Sequence, residues 1–400
     1  MHILIDILVI LIGYLLGSVS PAYFLGKLLK QIDIREVGEK NAGTTNAYKI
    51  LGFWPAVVTA FFDLSKGLLA MLIAYYFGLG ELVIYLSGIA AVLGHIFPFY
   101  LGFRGGQGAA TCTGILFYFL YVLLKQHFLP LESIGILLLV IIAILIITRQ
   151  KHFLPLIIMP ALAFMIGQHY SFDLIIIFSE LILIYLFVLN IFLSYQRGLF
   201  KLKESTLEKI RPWRTFMRPL ASVFPIGYYF LDRNFILLII GIIGGIFTLV
   251  DITRLLSPRL NLLLHHKKAR IYKKGEEKTF SSISLFLISA FLLILLFPKP
   301  IAIVAMVFLI FGDVFAKFFG LEYGKIEIFA PKTLEGSLAH LTVCLLVGYL
   351  MLPYVDLSPI IIATGALVAT IVEALPLRIN DNFSVSISAA LAMLLLNSFM

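Results

Sequence analysis

Apolar positions in this chain run in long blocks separated by short polar stretches. Blocks long enough to cross roughly 30 Å of hydrocarbon fall at about 3–24, 53–77, 82–100, 108–124, 131–148, 153–168 and 173–195. A second series follows at about 217–231, 235–256, 281–297, 300–320, 337–353, 358–375 and 384–399. The pattern predicts an all-α fold: a polytopic integral membrane protein of about fourteen transmembrane helices in two seven-helix halves. The first block has no basic stretch before it and no cleavage site after it, which predicts a retained helix in place of a signal peptide.

Composition excludes an ordinary soluble protein: 61% of residues are apolar and 13% charged, with mean hydropathy +1.03. Basic residues set the expected orientation. With the N-terminus outside, the inner loops of the first half hold Lys27, Lys30, Arg35, Lys40, Lys49, Arg104, Arg149, Lys151, Arg197 and Lys201, and the outer side keeps Lys125 and little else. The same scheme puts the basic 257–280 loop inside, with Arg259, Lys267, Lys268, Arg270, Lys273, Lys274 and Lys278. A multi-pass protein of a bacterial-type inner membrane, with its sites on the cytoplasmic face, is expected. The charged stretch 196–214, with Trp213 beside Pro212, reads as a linker resting on anionic headgroups. It divides the chain into 1–203, a linker 204–215, and 216–400. Cys112 and Cys344 lie in or beside apolar segments without metal-ligand spacing and read as packing residues.

Polar residues interrupt the first half in three places. Gly17-Ser18 and Pro21 end the first block and lead into Asp33-Ile-Arg35, Gly38, Asn41-Ala-Gly43-Thr44-Thr45-Asn46. Asp63 and Lys66 lie three apart inside an apolar block, hence on one helical face, either as a structural ion pair or as a functional one. His95 precedes the loop Arg104-Gly105-Gly106-Gln107-Gly108, in which glycines let backbone N–H groups close on an anion and arginine adds a bidentate fork.

In order and spacing these residues resemble the acyl-phosphate-dependent glycerol-3-phosphate acyltransferases, the PlsY family, over about residues 1–200. The resemblance implies transfer of a fatty acyl group from acyl phosphate to glycerol 3-phosphate in the membrane, without coenzyme A, carrier protein or cofactor, and coupling to other phospholipid-synthesis enzymes. Nucleic acid is not an expected partner. Arg35, Asn41, Gly43, Thr45, Asn46, Asp63, Lys66, His95 and the loop glycines match the family pattern. Arg35, Lys66, Arg104 and loop N–H groups are expected to hold phosphate, and Ser18 and Asn46 to orient the glycerol hydroxyl. His95 stands either as general base or as a structural helix-end residue, and a substrate phosphate oxygen is the other proton acceptor. Glu39-Lys40, Arg104 and Gln107 depart from the pattern, the last removing a phosphate charge. The family's closing basic motif is echoed only by Tyr195-Gln-Arg197-Gly198.

The second half carries a different set: Asp251 and Arg254, Gly312-Asp313 with Lys317, Lys332-Thr-Leu-Glu335-Gly336-Ser337, and Glu373 followed by Asp381-Asn382. Acidic residues with lysines around a glycine-rich turn suit magnesium and nucleotide phosphates. This half resembles the membrane CTP-dependent lipid kinases and, more distantly, phosphatidate cytidylyltransferases. The resemblance implies CTP and Mg²⁺, with Asp313, Glu335 and Glu373 at the metal and Lys317 and Lys332 on the phosphates. Asp251, Arg254, Gly336, Ser337 and Asp381 complete the expected nucleotide site. Two further readings stand beside the bifunctional one: a non-catalytic second half, and a transporter of a phosphorylated metabolite with polar groups at broken helices.

Overall fold

Backbone in hydrocarbon has to satisfy its own hydrogen bonds, so apolar blocks of this length fold as helices. The computed structural model describes residues 2–168, 173–204, 206, 218–265, 276–377 and 380–399. Most of the linker 204–215, with Trp213, and Lys267, Lys268, Arg270, Lys273 and Lys274 of the basic loop lie outside the described residues.

The chain packs as two compact units: residues 1–133 with 155–197, and residues 134–154 with 198–400. The first holds α1 (His2–Ser18), α2 (Pro21–Lys30), α3 (Thr44–Leu51), α4 (Phe53–Tyr76), α5 (Glu81–Ile96), α6 (Ala109–Lys125), α8 (Phe153–Gly167) and α9 (Leu174–Gln196). Small residues let α1 and α5 pack backbone to backbone. A Cβ at Gly17 would stand 2.1 Å from the Ala91 carbonyl oxygen, and one at Gly13 2.5 Å from that of Ser87.

Most of α7 (Leu131–Thr148) belongs with the second unit. Ile147 packs there with Phe319 and Ala339, so the division by sequence position at 203 is replaced by one that follows buried apolar packing. The second unit continues with α10 (Val223–Phe230), α11 (Arg233–Leu256), α12 (Pro258–His265), α13 (Ser282–Leu296) and α14 (Lys299–Val307). A π-helical turn (Phe308–Gly312) joins α14 to α15 (Asp313–Tyr323). Then come α16 (Leu334–Met351), α17 (Pro359–Ala374) and α18 (Asp381–Phe399). Residues Ile301 to Met306 of α14 are all buried. A helix apolar on every side belongs at the centre of its unit.

Two expectations change. Among the described residues nine helices are long and apolar enough to span, and four more, at 109–125, 153–167, 282–296 and 359–374, are shorter and apolar. The block at 217–231 is a 3₁₀ turn (Arg218–Ser222) and the eight-residue α10, about 12 Å of helix. Pro219 and Pro225 remove backbone donors there, which a count of apolar residues does not register. The fold is also not purely α: a short antiparallel hairpin, β1 (Glu327–Phe329) and β2 (Lys332–Thr333), precedes α16.

Candidate active site

In the first unit the polar interruptions converge. Lys66 is fully buried, Asp63 nearly so, and His95 is 6% exposed. The i, i+3 spacing on α4 sets Lys66 Nζ 2.9 Å from Asp63 Oδ1. The same ammonium reaches the Val19 carbonyl at 3.3 Å and contacts His95 Nδ1 at the end of α5. Three acceptors thus meet the three protons of Lys66. Nδ1 also lies 3.3 Å from Asp63 Oδ1, so the ring is held by the carboxylate as well as the ammonium, and both roles read for His95, base and helix-end residue, fit this contact. With Nδ1 accepting from the ammonium, Nε2 carries the proton. The Nε2 atom faces the glycine loop, where a Cβ at Gly106 would stand 2.0 Å from it.

The loop itself is held differently from expectation. The N–H groups of Gly105 and Gly106 donate to the Ile96 and His95 carbonyls, each at 3.0 Å, and so cap α5 instead of facing an anion. Gly108 takes φ +69°, turning the chain into α6. The first N–H groups of α6, from Ala109 onward, have no i−4 carbonyl within the helix to bond. Tyr185 of α9 donates to the Gln107 carbonyl at 2.6 Å and pins the loop from the other side.

Arg35 is a clamp. Its Nε and Nη2 bond both oxygens of Asp33, and its Nη1 donates to the Leu101 and Arg104 carbonyls at 2.6 and 3.1 Å. The bidentate Arg35 contact holds the Asp33 carboxyl below the usual carboxylate range. Asn46, expected on the substrate, is fully buried. Its Nδ2 donates to the Ile34, Val37 and Asn41 carbonyls and its Oδ1 accepts from the Glu39 N–H. Ser18 spends its hydroxyl on the Tyr14 carbonyl at 2.9 Å. Gly43 caps α3, and Thr45 is exposed.

Arg104, by contrast, is two-thirds exposed, with only Glu36 at 3.5 Å beside it. The departure at Glu39 is matched by cations: Lys49 and, at 3.1 Å, Arg197 hold its carboxyl below the usual range. Buried polar atoms left without partners include Ser20 Oγ and Thr111 Oγ1, which the sequence did not single out, beside Asn41 Oδ1, Thr44 Oγ1 and Asp63 Oδ2, which it did.

The second unit gathers charge at a separate place. Arg218 pairs with Asp313 and donates to Asn382 Oδ1 at 2.8 Å, while Asn382 donates to the Ser282 carbonyl at 2.8 Å. Lys332 bridges Glu373 and Asp381. Burial pulls the Lys332 ammonium down, but the two carboxylates outweigh it and raise it above the ordinary lysine value. Glu335 accepts from the Lys325 and Ile326 N–H groups and fixes the hairpin. Ser337 is buried and Lys317 exposed. Gly336 lies against α15, where a Cβ would stand 2.9 Å from the Ala316 carbonyl.

Asp251 and Arg254, expected at the nucleotide, form a buried hub. Both are fully buried and paired at 2.7 Å. Arg254 also donates to the Glu276 and Thr279 carbonyls, and Asp251 accepts from the Ser281 N–H and the Ser284 hydroxyl. Arg218, adjacent to a proline-broken segment, was invisible to motif reasoning. Among the described residues no three His, Cys, Asp or Glu side chains converge to hold a metal.

The glycerol-3-phosphate acyltransferase family matches residues 7–202. A glycerol-3-phosphate acyltransferase of Shouchella clausii is 43% identical over 145 residues, which cover 36% of this chain and 65% of the relative, just under two thirds. One from Prochlorococcus marinus (strain MIT 9215) is 39% identical over 142 residues, covering 32% and 72%. Among solved structures, the glycerol 3-phosphate form of PlsY, an integral membrane glycerol 3-phosphate acyltransferase, shares 28% identity over 48% of this chain and 92% of its own, with TM-score 0.37. Through its first unit, the chain belongs to the glycerol-3-phosphate acyltransferase family.

Proposed function

We propose that the first unit transfers a fatty acyl group from acyl phosphate to glycerol 3-phosphate, giving lysophosphatidate and inorganic phosphate. The buried Asp63–Lys66–His95 cluster, with Nε2 set against Gly106, is the observation that carries this reading. An acyl phosphate is already activated, so the site has to position two anions and stabilise the oxygen that gains charge. His95 Nε2–H serves as that donor. The exposed Arg104 fork and the leading N–H groups of α6 draw the phosphates. The glycerol hydroxyl oxygen bonds to the acyl carbon, the carbon–oxygen bond to phosphate breaks, and the hydroxyl proton leaves on a phosphate oxygen.

The test is conversion of labelled glycerol 3-phosphate by the purified chain with acyl phosphate or acyl coenzyme A as donor. Product from acyl phosphate alone is expected; product from acyl coenzyme A alone overturns the donor assignment.

For the second unit we infer a CTP-dependent lipid kinase. The supporting observation is the pairing of Arg218 with Asp313 and of Lys332 with Glu373 and Asp381 in an otherwise apolar unit, since charge beside apolar helices is expensive and marks function. Lys332 and Arg218 are the groups for nucleotide phosphates. The acids expected to hold magnesium do not fit it as a preformed site: Asp313 and Glu373 are each ion-paired and Glu335 holds the hairpin. Magnesium would arrive with the nucleotide. The lysine and arginine count supports an N-terminus outside, both sites facing the cytoplasm of a bacterial-type inner membrane, and fourteen crossings if 218–230 serves as a short one.

A further inference from the structure

One face of α16 carries two buried polar atoms without partners. His340 is fully buried and its Nε2 meets no hydrogen-bond partner. Ser337, three residues earlier and so on the same face, has a buried Oγ in the same condition.

Thr370 Oγ1 lies 2.8 Å from the Ala366 carbonyl and 2.8 Å from His340 Nδ1, and Cys344 Sγ lies 3.6 Å from the same nitrogen. With the Thr370 hydrogen on Ala366, His340 Nδ1–H donates to the Thr370 oxygen. An uncharged imidazole that donates from Nδ1 keeps its lone pair on Nε2. That lone pair lies against Gly312, where a Cβ would stand 2.5 Å away. Gly312 closes the π-helical turn, a local irregularity common at functional sites, and Asp313 of the charged cluster follows it directly.

Several other buried polar groups of this unit are spent. Asp251, Arg254 and Ser284 bond one another's segments, and Ser289 bonds Ser386 at 2.7 Å. Buried side chains in native structures rarely keep open hydrogen-bonding capacity without a role. A hydroxyl, which donates one hydrogen bond and accepts others, matches an open imidazole nitrogen beside an open serine.

We propose that this face of α16 receives the hydroxyl of the lipid alcohol, with His340 Nε2 accepting its proton and Ser337 Oγ donating to its oxygen. The inference rests on the kinase reading of this unit. In the step, the alcohol oxygen bonds to the γ-phosphorus of a nucleoside triphosphate. The bond from that phosphorus to the β–γ bridging oxygen breaks, the nucleoside diphosphate leaves, and the hydroxyl proton moves to Nε2. Gly312 is what lets the imidazole sit level with Asp313.

The test uses the full chain in lipid nanodiscs with γ-labelled CTP and diacylglycerol, polyprenol or phytol. His340→Asn keeps an amide donor for Thr370 and loses the Nε2 lone pair, and His340→Gln is the second variant. Acyl transfer by the first unit in the same preparations reports intact insertion. Loss of lipid phosphorylation by about 100-fold or more in kcat, with KM for CTP and acyl transfer unchanged, is the expected result; wild-type phosphorylation in either variant overturns the proposal. A second readout does not depend on turnover. In ¹⁵N-histidine spectra the His340 signal, identified by its loss in His340→Asn, should show an Nδ1–H tautomer whose Nε2 shifts when one of the alcohols is added. If the wild type labels no lipid but Nε2 shifts, the kinase reading falls and the hydroxyl site stands. If no alcohol shifts it, the proposal falls whatever the activity.

Discussion

At the residue scale the account rests on which groups are free and which are already committed. Lys66 is committed to three acceptors, so its removal takes the ammonium from a buried Asp63 and leaves only the His95 contact at 3.3 Å, a loss of about 3–5 kcal/mol. Lys66→Met should therefore lower the thermal midpoint in detergent as well as abolish acyl transfer. Arg104 is exposed, and Arg104→Ala should leave that midpoint unmoved. It should cut kcat/KM about 10- to 150-fold by removing a charge-assisted contact of about 1.5–3 kcal/mol. A shared effect of the two changes on stability would show that Arg104 holds the fold. The sequence made the Asp63–Lys66 spacing legible because helical periodicity fixes it. The destinations of the Arg35 and Asn46 hydrogen bonds were not legible. They depend on loop carbonyls, from Leu101 and Arg104 for one and Val37 and Asn41 for the other, which no local pattern encodes.

At the scale of elements, two junctions do most of the positioning. The Arg104–Gly108 loop is stretched between the end of α5, which it caps, and α9, whose Tyr185 holds the Gln107 carbonyl. Tyr185→Phe removes one hydrogen bond, about 1 kcal/mol net. It should raise KM for glycerol 3-phosphate severalfold while the protein stays folded by circular dichroism; an unchanged KM would mean that α9 does not tension the loop. The other junction is the π-helical turn before Asp313. A methyl at Gly312 has to displace His340, so Gly312→Ala should depress lipid phosphorylation and spare acyl transfer. Long helices were readable because hydrocarbon permits little else. The 3₁₀ turn and short helix of the 218–230 segment were not legible because apolar content was counted without regard to its two prolines. The hairpin at 327–333 was missed because it is only five residues of strand beside a helix start.

At the scale of the molecule, the groups proposed for acyl transfer all lie in the first unit and the 134–154 segment belongs with the second. A chain ending at 203 strips α7 of Phe319 and Ala339, its apolar partners. Lipid tails replace such contacts at little cost, so the shortened chain should insert and keep acyl transfer, measured per mole of folded protein. Complete loss would show that the second unit is needed to shape the first. The allegiance of α7 was not legible, because a uniformly apolar helix carries no mark of its partner.

The central claim is the proposal that His95 Nε2, set against the glycine loop, serves acyl transfer, and Gly106→Ala tests it most directly. The added Cβ would stand 2.0 Å from Nε2 and must push the imidazole or the loop aside. Displacements near 1 Å at such a site cost about 100-fold. The measurement is lysophosphatidate formed from acyl phosphate and labelled glycerol 3-phosphate by the full chain and by Gly106→Ala. The account predicts product from the wild type and a fall of about 100-fold in kcat for the variant, with an unchanged thermal midpoint. Equal kcat in the two proteins would contradict it.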